Sequence, residues 1–403
     1  MQTNIHPDIA QQPNVSEAQD ILRSCVHCGF CTATCPTYQY FGDERDGPRG
    51  RIYLIKQLLE TNEVTDKTQT HLDRCLTCRS CETTCPSGVK YGRLVDIGRG
   101  IVEKKLSRSP RDRFIRWSIR KILPYPKRFG FLLFLGQLCR PVLTGKLKAK
   151  VPPKQKPSPW PASSHPRKMI ALAGCAQSLT TPNTNAASAK VLDKIGITLV
   201  EAPKAGCCGA VDYHLAAHDD GLNAMRKNID AWWPAIEAGA EAIVMTASGC
   251  GVMVKEYGEL LAGDPDYADK AQRVTELTQD ISEILANEDL SQLTIKEQKP
   301  TAYHCPCSLQ HGQQLTGGVE AILEKAGVPL TKTKDKHLCC GSAGTYSILE
   351  PETSQKLLAN KLTALTIDQP EQIVTANVGC QMHLETKAKV PVKHWIELLE
   401  PKE

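Results

Sequence analysis

Two stretches of the chain, Cys25-Val-His-Cys28-Gly-Phe-Cys31-Thr-Ala-Thr-Cys35-Pro36 and Cys75-Leu-Thr-Cys78-Arg-Ser-Cys81-Glu-Thr-Thr-Cys85-Pro86, share one spacing, C-x2-C-x2-C-x3-C-P. A [4Fe–4S] cubane needs four thiolates converging on one small core, and this spacing supplies them. Two residues between cysteines let successive backbone turns bring three sulfurs to one cube. The fourth cysteine points away and serves the other cluster when the run occurs twice. The expected ligand sets are therefore crossed. Cys25, Cys28, Cys31 and Cys85 hold one cluster, and Cys75, Cys78, Cys81 and Cys35 hold the other. Pro36 and Pro86 stop the local helix after each fourth ligand. Zinc sites take their cysteines as separated pairs, not four in one run. The chemistry implied is electron transfer.

Helices must position these sulfurs. Between the runs, Arg49 to Leu59 carries Ile52, Ile55, Leu58 and Leu59 at helical spacing, and Arg93 to Lys105 reads as another helix. This predicts an α-helical ferredoxin-type module over residues 1–106, with its polar start, up to about residue 16, loose.

Residues 107–150 form a basic and apolar helical segment. Arg108, Arg111, Arg113, Arg116, Arg120, Lys121, Lys127 and Arg128 alternate with Phe114, Ile115, Trp117, Ile119 and Ile122, and Phe129 to Leu138 is strongly apolar. That run is too short to cross a bilayer. A helical hairpin packed against the rest of the protein or a partner subunit is the expected use. A basic amphipathic surface on an anionic membrane leaflet is the other. Residues 151–168 are a Pro-rich linker.

The remainder is an internal repeat, residues 169–290 and 300–403. Each half runs strand, Cys, helix, Cys-Cys-Gly, helix, strand, Cys. Thirty-one residues separate Cys175 from Cys207 and Cys307 from Cys339, and forty-one and thirty-nine separate Cys208 from Cys250 and Cys340 from Cys380. The match makes Cys307, not Cys305, the counterpart of Cys175. Alternating strands and helices predict two pseudo-repeated α/β lobes with parallel sheets. The fold class is thus α+β multidomain. Cysteines at strand ends gather at one place in such sheets. Each lobe is therefore expected to assemble a second-tier redox or metal set, Cys175, Cys207, Cys208 and Cys250, then Cys307, Cys339, Cys340 and Cys380. Gly209 and Gly341 would let the backbone approach that centre. Cys139 is expected in a core, Cys305 is a spare ligand or inert, and His304, His311, His337 and His383 are expected to pack rather than ligate.

Eighteen cysteines, eight of them in metal-ligand runs, fit a reducing, cytoplasmic compartment. Met1 to Val15 has no secretory pattern. A net charge of +5 is mild and says little about partners, while few aromatics and the lack of a Lys/Arg–aromatic stacking pattern argue against nucleic-acid binding. No Gly-rich dinucleotide fingerprint, flavin motif or catalytic triad is present, so bond-making chemistry is expected on another chain.

Two ferredoxin runs followed by two Cys-Cys-Gly domains resemble the iron–sulfur subunits of bacterial glycolate oxidase. His304-Cys-Pro-Cys307, His337-Leu-Cys-Cys-Gly-Ser-Ala-Gly-Thr-Tyr346, Val374-Thr-Ala-Asn-Val-Gly-Cys-Gln-Met-His383 and Val392-Lys-His-Trp-Ile-Glu397 carry the likeness. It implies an FAD-bearing partner that oxidises glycolate to glyoxylate, a quinone acceptor, and peripheral contact with the cytoplasmic membrane. Lactate-utilisation and anaerobic glycerol-3-phosphate dehydrogenase subunits are similar and offer alternative substrates. Heterodisulfide-reductase relatives offer thiol–disulfide chemistry. Those relatives end each domain in Cys-x-x-Cys, whereas this chain has Cys250-Gly-Val-Met253 and Cys380-Gln-Met-His383. The fifth cysteine is missing in both lobes, which argues against a non-cubane cluster.

Overall fold

The computed structural model describes residues 1–12, 14–293 and 299–401. The last two residues of the expected second lobe lie outside it, as does residue 13 of the expected loose start.

Short helices and turns build the N-terminal module: α1 Val15–Ser24, α2 Phe30–Ala33, α3 Pro36–Phe41, α4 Pro48–Thr61, α5 Asp66–Asp73, α6 Ser80–Thr83 and α7 Tyr91–Lys105. Apolar faces of α1, α4 and α7 close one core, in which Leu22, Ile55, Leu59, Leu94 and Val95 are fully buried. Burying such side chains contributes about 1.5–3 kcal/mol each. The N-terminus is pinned rather than loose. The Met1 ammonium donates to the carbonyls of Leu22 and Cys25, both at 2.9 Å, and Ile9 is buried in the same core. A cation there also suits the C-terminal end of α1.

Helices α8 Pro110–Ile122 and α9 Pro126–Cys139 form the expected hairpin, but it is not buried. Ile119 is its one buried residue in these two helices, while Phe114, Trp117, Phe131, Phe134 and Leu138 are exposed. Cys139, expected in a core, is exposed too. Gly130 and Gly136 meet only Leu179 and Val151. An all-round apolar helix has no polar face to turn to water, so this one is left with its greasy surface outward.

The first lobe holds a parallel sheet, ordered β2-β1-β3-β4, of β1 Arg167–Ala171, β2 Ile197–Glu201, β3 Ile243–Met245 and β4 Thr278–Asp280. The second holds β5 Thr301–His304, β6 Gln372–Thr375 and β7 Val392–His394 in the order β5-β6-β7. A parallel bridge from Thr301 to Leu330 stands where β2 pairs with β1. The repeat is therefore topological as well as sequential. The lobes are not separate. Val191, Leu192, Ile197 and Ile281 of the first share one core with Tyr303, Val319, Trp395 and Ile396 of the second.

Candidate iron–sulfur sites

The two cysteine runs have the same backbone. In the first, His27 and Gly29 sit at φ 59° and 85°; in the second, Thr77 and Arg79 sit at 52° and 60°. These are the third and fifth residues of each run. A left-handed residue before and after the second cysteine coils the chain so that three sulfurs face one side. Such conformations cost about 1–3 kcal/mol at non-glycine residues, a cost that a cluster bound by the three sulfurs would offset. Each third cysteine then sits second in a single helical turn, α2 or α6, after which the fourth lines the other concavity.

Two concavities result. One is lined by Cys25, Cys28, Cys31 and Cys85, with Ile52 and Pro86. The other is lined by Cys35, Cys75, Cys78 and Cys81, with Arg51 and Thr77, and Cys81 also reaches the rim of the first. Four thiols around each concavity fit a cubane. Burial, then the neighbouring sulfurs of Cys25 and Cys85, push the Cys31 thiol up to about 11. Burial and the nearby Cys78 and Cys75 push Cys81 well up. Thiols so crowded need a cation among them before they can all ionise.

The protein surrounds the second concavity with donors. Buried Arg51 donates from Nε to the His71 carbonyl at 2.6 Å and from Nη1 to Thr37 Oγ1 at 3.1 Å, and Thr37 Oγ1 lies 3.3 Å from the Cys35 sulfur. Tyr91 donates to Cys75 Sγ at 3.6 Å, and the Thr77 N–H at 3.4 Å. Arg99 clamps the loop by donating to the carbonyls of Leu72 and Cys75. A buried guanidinium beside thiolates offsets the negative charge of a ligated cluster.

Each lobe gathers its own four cysteines. In the first, hydrogen bonds from Cys175 and Cys208 hold the Cys207 thiol well below its usual range, and the same contacts push Cys175 and Cys208 up. Cys250 adjoins Cys208. In the second, the Cys307 and Cys339 sulfurs are 3.8 Å apart, and Cys340 lies against Cys339 and Cys380. Gly209 and Gly341 are left-handed, with φ 92° and 88°. Their missing side chains make room for the carbonyls of Gly221 and Ser354, not for the sulfurs, so the expected reason for these glycines changes. Cys305 turns into the apolar core between the lobes, away from this set.

His311 and His337 are linked, with His311 Nε2 3.1 Å from the His337 carbonyl, and His311 Nδ1 lies 2.9 Å from the Thr83 hydroxyl. His383 pairs with Ser354 at 3.2 Å. The module and the lobes are also joined by an Arg79–Glu256 ion pair and a His214–Asp96 hydrogen bond at 3.0 Å. Cys78 packs in one small apolar cluster with Cys307 and Cys339, so the second concavity borders the second lobe's sulfurs. Spacing alone does not reveal that adjacency.

Comparison with known proteins agrees with this layout. A 4Fe-4S dicluster domain matches residues 21–89, and a cysteine-rich domain matches residues 170–255 and 301–385. The chain is 56% identical to the glycolate oxidase iron-sulfur subunit of Escherichia coli (strain K12), over 99% of this chain and 98% of that one. It is 30% identical to the probable glycolate oxidase iron-sulfur subunit of Bacillus subtilis (strain 168), over 94% and 93%. Lactate utilization protein A of Shouchella clausii is 26% identical over 57% of this chain and 97% of that one. In fold, the chain is similar to a hypothetical protein from Helicobacter pylori, with a TM-score of 0.53 at 11% identity, over 87% of this chain and 66% of that one.

Proposed function

Because this chain belongs to the family of glycolate oxidase iron–sulfur subunits, we propose that it receives electrons from a flavin-bearing partner oxidising glycolate to glyoxylate. It hands them on, one at a time, toward a quinone. The chain is thus the electron-transfer part of an oxidoreductase, and the substrate chemistry belongs to the partner. When bound, two [4Fe–4S] clusters supply one-electron redox chemistry. The chain's own contribution is to hold them with Cys25, Cys28, Cys31 and Cys85, and with Cys75, Cys78, Cys81 and Cys35. Arg51 and Tyr91 favour the added negative charge on reduction, and the enclosing helices bury Cys25, Cys35, Cys75 and Cys81 while Cys28 is exposed. The observation that carries this reading is the pair of four-cysteine concavities built on one repeated left-handed backbone. The lobe sets of Cys175, Cys207, Cys208 and Cys250, and of Cys307, Cys339, Cys340 and Cys380, form the second tier of redox or metal sites.

We place the complex in the cytoplasm, where thiolates stay available to iron, and against the inner face of the membrane through the α8–α9 hairpin. The exposed Phe131, Phe134 and Leu138 beside Arg128 and Lys127 support that contact. No described helix is long and apolar enough to cross a membrane.

The test is anaerobic mixing of the assembled complex with hydroxy acids, followed by visible and EPR spectroscopy. Glycolate is expected to reduce the clusters faster than lactate or glycerol-3-phosphate. Reduction by lactate with none by glycolate would move the chain to a lactate system.

A further inference from the structure

The second lobe contains a histidine with nothing to do. His304 ends β5, is 1% exposed, and neither of its ring nitrogens has a hydrogen-bond partner. Buried polar atoms are nearly always paired, and an unpaired imidazole costs about 1–3 kcal/mol. Its surroundings give no relief. Ala302, Leu358, Ile373 and Leu384 form an apolar wall, and within that wall lie Cys340 and Cys380. One ligand atom each from His304, Cys340 and Cys380 all fall within 4.8 Å of one another.

We propose that His304, Cys340 and Cys380 hold one thiophilic metal ion, zinc or ferrous iron. The inference deepens the second-tier reading of this lobe and does not depend on the ferredoxin pair. Neutral imidazole and thiolate are the shared ligand chemistry of both metals. The spacing indicates a single ion. Ligand atoms all within 4.8 Å of one another can share one ion, and Cys339, 3.8 Å from Cys307, adjoins Cys340 of the triad. The surroundings suit thiolates. The Asn377 amide donates to Cys380 Sγ at 3.5 Å and the Gly341 N–H to Cys339 Sγ at 3.4 Å. Buried Lys361 stands close enough to the Cys340, Cys339 and Cys307 sulfurs to balance their charge.

The first lobe lacks this site. By the cysteine register, Leu172 occupies the place of His304, and it is buried among apolar neighbours. The two halves of the repeat have therefore diverged: one keeps a thiol set, the other a mixed imidazole–thiolate site beside Cys78 and the second ferredoxin concavity.

The experiment is elemental analysis and metal-edge X-ray absorption on the full chain purified anaerobically, as wild type, His304→Leu and His304→Cys. Wild type should carry one zinc or iron beyond the about eight irons of two cubanes, with nitrogen and sulfur in its shell. His304→Leu should keep the eight irons and lose the extra ion about tenfold or more. His304→Cys should keep the ion in an all-sulfur shell, which decides the matter even if His304→Leu misfolds. No nitrogen-ligated ion in wild type, a nitrogen-ligated ion retained in His304→Leu, or about four extra irons with sulfide in place of it would each overturn the proposal and leave the ferredoxin wire standing. Loss of the eight irons with the extra ion kept would overturn the wire alone.

Discussion

The hydroxyl of Tyr91 donates to the sulfur of Cys75 at 3.6 Å, from a buried position at the start of α7. Cys75 is one of the four sulfurs around the second concavity. A hydrogen bond to a ligating sulfur strengthens as the cluster gains an electron, which raises the potential. Tyr91→Phe is therefore expected to lower the potential of that cluster by about 60 mV, the one-electron equivalent of about 1.4 kcal/mol. An EPR-monitored redox titration reads both clusters at once. The cluster on Cys25, Cys28, Cys31 and Cys85 should not move, and an equal shift in both would contradict the assignment.

Gly341 is held at φ 88°, and a Cβ there would meet the Ser354 carbonyl oxygen at 2.6 Å and Leu357 Cβ at 2.9 Å. Both neighbours sit on the helix Pro351–Leu365, so neither can swing aside. Gly341→Ala is expected to cost about 3 kcal/mol through strain and overpacking. Gly206→Ala, with open space at its Cβ, should be neutral. Thermal unfolding of the two variants compares them directly. Equal melting temperatures would show that the Cys339-Cys340-Gly341 turn is softer than drawn.

His394 closes β7 and caps the following turn by accepting the Ile396 N–H at 3.3 Å. Burial drives its imidazole from the ordinary 6.5 down to about 3. Between those values the unfolded chain binds a proton that the folded chain refuses, so stability rises with pH there. The full contribution is present above pH 6.5 and is lost progressively as pH falls toward 3. From pH 6.5 to 5 the loss is about 2 kcal/mol. In His394→Gln, which keeps an acceptor, the melting temperature should fall less steeply over that interval. Parallel pH profiles for the two chains would remove His394 from the account.

How far the sequence could be read follows from what each residue depends on. The cysteine runs were legible because ligation fixes spacing locally, and the repeat was legible because Cys175 and Cys307 keep equal distances to their Cys-Cys-Gly turns. The left-handed residues were not. His27, Thr77 and Arg79 adopt a conformation their side chains disfavour, which residue preference alone does not foretell. The start of the chain looked loose because its polarity hides three backbone acceptors for the Met1 ammonium. The repeat predicts a pair of lobes, and that Trp395 and Val191 share one core, more than two hundred residues apart, is encoded by no local pattern. The hairpin is expected to pack against the rest of the protein or a partner subunit, and this chain's own fold leaves its aromatic face exposed, because hydropathy reports the demand for burial and not its source. His304 is expected to pack, and nothing local in the sequence shows that both its ring nitrogens lie without partners beside two thiols.

The most direct measurement is iron and EPR analysis of anaerobic protein in which Cys35 and Cys85 are changed to Ser one at a time. Crossed ligation requires Cys35→Ser to perturb the cluster of Cys75, Cys78 and Cys81, and Cys85→Ser to perturb that of Cys25, Cys28 and Cys31, each leaving the other signal intact. If instead each serine disturbs the cluster of its own run, or if the wild-type chain binds no iron while its complex still oxidises glycolate, the two-cluster wire is contradicted.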